Sequence, residues 1–117
     1  MSDIKKLLVW RNGMDIIVEA LRALQEFPDD EQFGLKFQVL RNAVSITAGI
    51  AEGNELISAQ EYRQHLEIAL NAACELETYI LIARKLKGAD VMLMQGLLKM
   101  INEEQQMIMS FIDKLRT

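Results

Sequence analysis

The chain has 117 residues, 50% of them hydrophobic, and a formal charge of −4 at pH 7. That length fits one domain spanning 1–117 with a core of its own; the single cysteine excludes an internal disulfide and a multi-cysteine zinc site, and the acidic balance excludes polyanion binding through bulk charge. No run approaches the ~20 apolar residues of a membrane span, and the apolar stretch at residues 7–10 is too short for a signal peptide, so the expected compartment is the cytoplasm.

Four segments carry helical periodicity, at about 3–26, 29–52, 58–87 and 90–115. In the first, Leu7, Trp10, Met14, Ile17, Leu21 and Leu24 make a strict heptad seam. Gly13 interrupts it at a cost of about 1 kcal/mol relative to Ala, which a close helix approach explains. Pro28 and the acids Asp29, Asp30 and Glu31 then restart the chain, since Pro suits a first helical turn and acids complement the helix dipole there. The second segment has one seam through Phe33, Phe37, Leu40, Val44, Thr47 and Ala51, and another through Leu35, Val39, Ala43, Ile46 and Ile50. Gly53-Asn54 reads as a stop, because both residues tolerate the left-handed conformation.

Ser58 with Glu61 reads as a capping box for the third helix. Its seams run through Tyr62, Leu66, Ala69, Ala73, Leu76, Ile80 and Ala83, and through Ile68, Ala72, Tyr79, Ile82 and Leu86. Arg84, Lys85, Lys87 and Gly88 close it in the order the dipole favours. Asp90 caps a fourth helix whose heptad is Val91, Met94, Leu98, Ile101, Gln105, Ile108, Ile112 and Leu115, flanked by Leu93, Leu97, Met100, Met107 and Phe111. Long helices joined by short connections give an all-α, antiparallel, up-down-up-down four-helix bundle. A lone bundle cannot hide the two apolar seams that the second and third helices each carry, so the pattern calls for association with further copies of the chain.

Few residues carry chemistry. His65 is the only histidine, and Glu61 beside it has the wrong spacing for a di-iron motif, so no metal or other cofactor is expected. Cys74 lies among Ala72, Ala73 and Leu76 and reads as a packed thiol rather than a nucleophile. Glu52, Glu67, Glu75 and Glu77 are either acid/base carboxylates or buried or interfacial ion pairs with Arg41 or Arg63. The second reading is favoured because no nucleophile, metal site or phosphate loop accompanies them. Met94 and Met100 read as core, Met92 and Met109 as exposed contacts. Lys5, Lys6, Arg11, Lys114 and Arg116 gather at one end of such a bundle, diluted by Asp3, Glu55, Glu61 and Asp113. A solvated mixed surface is the plainer reading and a nucleic-acid contact the alternative.

Across residues 10–86 the motifs F-P-x-x-E-x-F-G-L, from Phe27 to Leu35, and A-V-S-I-x-x-x-I-A-E-G, from Ala43 to Gly53, recur with a third-helix pattern of Ser58, Glu61-Tyr62, Leu66, Ile68-Ala69 and Glu75-Leu76-Glu77-Thr78. This set resembles the bacterial four-helix-bundle proteins encoded in intervening sequences of 23S ribosomal RNA genes. That group includes the accessory variability proteins of diversity-generating retroelements. The resemblance implies a non-enzymatic homopentameric barrel, an adaptor for a reverse transcriptase and its RNA, or a direct RNA- or DNA-binding protein. It also implies that Arg41, Glu52, Glu75 and Glu77 fix subunit register beside the interface residues Val39, Ile46, Ile68 and Ile82.

Overall fold

The computed structural model describes residues 3–25, 27, 34–56, 58–86 and 88–116. Every regular element among them is helical. A 3-10 turn at Ile4–Lys6 precedes α1 (Leu8–Ala23), α2 (Leu35–Asn54), α3 (Ala59–Arg84) and α4 (Val91–Lys114). The helices stand in a ring in chain order, α4 returning to α1. Paired positions run in opposite senses along neighbours: Gly53 meets Tyr62 and Gly49 meets Ala69, while Arg63 reaches Leu115 and Gln105 reaches Glu77. The bundle is therefore antiparallel throughout, a rod of 46 × 23 × 21 Å. No helix among the described residues is long and apolar enough to cross a membrane.

The helix boundaries follow local chemistry and depart from the expected ones in three places. The first segment is broken, because the Asp3 carboxylate accepts from the Lys5 amide and nucleates a 3-10 turn, after which Leu7 is extended. Lys5 and Lys6 thus sit on the turn and not on the helix. The second helix begins at Leu35 because Gly34 has φ 60°, a left-handed conformation that glycine adopts without penalty and that a helix interior does not contain. The expected seam residue Phe33 and the dipole role of Asp29, Asp30 and Glu31 after Pro28 lie outside the described residues, as does Lys87. Third, Gly53 and Asn54 do not stop α2 in a left-handed turn; both remain helical. Glycine is required there because a Cβ would stand 2.7 Å from the Tyr62 ring, and the Tyr62 hydroxyl donates to Asn54 Oδ1 at 3.1 Å. Ser58 and Asp90 cap α3 and α4 as expected, accepting from the Glu61 and Leu93 amides. Gly88, with φ 95°, follows α3.

The interior is filled by Ile16 from α1 and Leu24 just after it, Ile46 and Ile50 from α2, Leu66, Leu76 and Ile80 from α3, and Met94, Leu97, Ile101 and Ile108 from α4. Truncating one such side chain to Ala costs about 2–5 kcal/mol. In α3 the buried line coincides with the first of the two seams. In α2 it is the second, so Val39 and Ile46, expected at a subunit interface, are completely enclosed within the single chain. In α1 the buried line is Val9, Gly13, Ile16, Ala20 and Ala23, not the strict heptad. Small residues there bring α1 close to its neighbours, and a Cβ on Gly13 would lie 2.3 Å from Thr47 Cγ2.

Candidate interaction surface

Two apolar seams remain on the outside. On α1, Trp10, Met14, Ile17 and Leu21 each follow a buried residue by one position, so they lie about 100° around the helix from the core line. On α2, Leu40, Val44 and Ala51 follow Val39, Ala43 and Ile50 in the same way. Antiparallel neighbours turn in opposite senses seen from one end, so the two offsets swing towards each other. The Gly13–Thr47 approach fixes that side as the α1–α2 junction. The result is one apolar face shared by two helices, with Met14 41%, Leu21 52%, Val44 50% and Phe37 65% exposed.

The α2–α3 groove is of different character. Its first part, of about 290 Å³, is lined by Gln38, Arg41, Asn42, Ser45, Ile68, Asn71, Ala72 and Glu75. It continues past Ala48 and Gly49 to Glu52 and His65. Ile68 is 61% and Ile82 46% exposed on this outer side of α3, whereas Arg41, Glu52 and Glu75 are exposed polar groups. The expected pairing of the helix-three acids with Arg41 or Arg63 inside the chain is not what forms. Arg63 donates to the Leu115 carbonyl at 2.7 Å, tying α3 to the end of α4, and Glu77 accepts from Gln105 at 3.1 Å. Glu67 is exposed. Cys74, expected to pack as a small hydrophobe, is exposed instead, one position beyond buried Ala73, with Gln105 3.9 Å from its sulfur. Nδ1 of His65 and the Glu61 carbonyl lie 3.1 Å apart, so the ring serves its own helix.

The expected basic end is present but divided. Lys114 rims an apolar groove of about 430 Å³ between the start of α1 and the end of α4, lined by Leu7, Leu8, Met107 and Phe111. Arg116 lies on the α3 side, beside Glu67 and Leu70, and faces Asp113 at 3.9 Å in a solvent-exposed pair. Lys5, Lys6 and Arg11 are exposed. Five cations therefore do not form one patch.

One residue escapes the sequence pattern entirely. Glu104 has no exposed surface, lying in the inward line Met94, Leu97, Ile101, Glu104, Ile108 where the heptad placed Gln105. Asn12 Nδ2 donates to its Oε1 at 3.1 Å and to the Met100 carbonyl at 3.2 Å. Its Oε2 has no hydrogen-bond partner among the described residues. Burial pushes the carboxyl up from 4.5 to about 7, a rise that the Asn12 hydrogen bond only partly opposes. Among the described residues no group of three or more His, Cys, Asp or Glu is placed to hold a metal ion.

With the geometry established, comparison with known proteins is informative. A family model described as 23S rRNA-intervening sequence protein matches residues 5–110. Among solved structures, a crystal structure from Bacteroides thetaiotaomicron VPI-5482, described as a protein with unknown function from the S23 ribosomal protein family, superposes with a TM-score of 0.81 at 21% identity. The match covers 90% of this chain and 98% of that one. At that identity the likeness speaks for the fold. No curated protein matches the chain.

Proposed function

Because the chain belongs to the 23S rRNA-intervening sequence protein family, we propose that it is a non-enzymatic scaffold that assembles with copies of itself, five in the barrel that the family resemblance implies. The observation that carries this reading is the α1–α2 face, where Met14, Leu21, Phe37 and Val44 leave substantial apolar area bare on a single chain. A sister chain covering that face removes it from water at about 25 cal/mol per Å². Ile68 and Ile82 supply a second, smaller contact beside Arg41, Glu52 and Glu75, whose polarity fixes register rather than adding affinity. The same scaffold reading extends, through the resemblance, to an adaptor that presents several chains to a reverse transcriptase–RNA complex in a reducing compartment such as the cytoplasm.

Light scattering coupled to size exclusion tests the assembly. The wild-type protein is expected as a single species several times the 13.4 kDa chain mass. Leu21→Glu and Val44→Glu, both at exposed positions of the single chain, are expected to yield folded monomers with unchanged helical circular dichroism. A wild-type monomer at micromolar concentration overturns the proposal.

A second reading compatible with the family description is direct RNA binding, for which exposed Lys5 and Lys6 on the N-terminal turn would be the first contacts. Affinity for RNA is then expected to fall with salt at roughly 0.7 log units per log unit for each single-strand phosphate contacted. Salt-independent affinity, or none at low salt, eliminates it.

A further inference from the structure

Glu104 is a carboxylic acid sealed inside the bundle with no base paired to it among the described residues. Its Oε1 takes one hydrogen bond from Asn12, and the same amide holds the Met100 carbonyl, so a single α1 side chain grips α4 twice. Its Oε2 has no hydrogen-bond partner among the described residues, and a Cβ on Gly13 would come within 3.0 Å of it. The nearby Thr47 hydroxyl donates to the Val44 carbonyl at 3.1 Å.

Among the described residues no cation faces this carboxyl from any element packed around it. Charged Arg11 and Asp15 of α1, Arg41 and Glu52 of α2, Glu75 of α3, and Lys99 and Glu103 of α4 are all exposed. Glu77 of α3 is half-buried and held by Gln105. Apart from Thr47, whose hydroxyl is engaged by the Val44 carbonyl, the inward positions of α2 and α3 at this level, among them Ala43, Ile46, Ala73 and Leu76, are apolar.

We propose that Glu104 is a proton-operated clasp between α1 and α4, closed while the carboxyl is neutral and loosened when it ionises. A neutral acid with one hydrogen bond is tolerable in such surroundings. An isolated carboxylate is not, and its ionisation must bring water in along the α1–α4 seam. Burial holding the group near 7 places this event in the physiological range. The sign follows from proton binding. The folded chain holds the proton more tightly than the unfolded chain, so the stabilisation is complete below about 4.5 and is lost as pH rises through about 7.

Urea denaturation of wild type and Glu104→Gln between pH 5 and pH 8 tests the clasp. The folding equilibrium constant of wild type is expected to fall by tens of fold more than that of the variant across this range. Trp10, the sole tryptophan and a residue of α1, is expected to change its fluorescence through neutrality in wild type and not in the variant. Carbon-13 NMR of the wild-type side-chain carboxyl is expected to titrate near 7, and it decides the matter alone if the variant does not fold. Superimposable pH profiles for the two proteins, pH-invariant Trp10 emission, or a carboxyl titrating at 4–5 overturns the proposal.

Discussion

Gly13, Thr47 and Glu104 meet where α1 packs tightly against α2 and α4. Replacing Gly13 by Ala gains about 1 kcal/mol of helix propensity but drives a methyl into Thr47 Cγ2. Overpacking of this kind costs about 1–3 kcal/mol. The net expectation is destabilisation in urea, partly relieved by Thr47→Ser, which removes the methyl and keeps the hydroxyl. Additive effects of the two substitutions would show that the contact is not the cause. Tyr62 illustrates the other way a residue is held. Its ring fills the space that Gly53 leaves and packs against Phe111 with centroids 5.0 Å apart. Burial pushes its phenol up to about 12. The proton is thus bound more tightly in the folded chain, and this contribution is lost only as pH rises through that value.

Helix ends obey local rules, and there the sequence could be read directly. Ser58 and Asp90 cap because a short side-chain oxygen beside a free amide leaves little alternative. Asp90→Ala is expected to lower stability by about 1 kcal/mol, measured by thermal or urea denaturation. Faces were harder. Periodicity gives the spacing of a seam but not its direction when a helix carries two, and only α3 has its more continuous seam inside. In α1 the seam residues Met14 and Leu21 point outward, because the interior line there includes Gly13, Ala20 and Ala23 for close approach. Glu104 had no legible signal at all. An acid among polar neighbours Asn102, Glu103, Gln105 and Gln106 looks solvated, and only the drift of the buried line by one position reveals otherwise. The Gly53-Asn54 stop failed for a related reason, since glycine there serves the Tyr62 ring and not a turn.

At the scale of the molecule, a 46 Å rod of four helices exposes 7155 Å², against about 6,500 Å² expected for its mass. The bare α1–α2 face belongs to that surface. If sister chains cover it, unfolding is linked to dissociation, and the melting temperature climbs with protein concentration by mass action. Leu21→Glu is expected to flatten that dependence while leaving the isolated bundle intact. Cys74 offers a direct count of the chains involved. It is the sole thiol, it is exposed, and it projects beside Gln105 on the α3–α4 side, away from the α1–α2 face. One maleimide dye therefore attaches per chain without touching that face, and the number of photobleaching steps from a single immobilised particle reads off its stoichiometry.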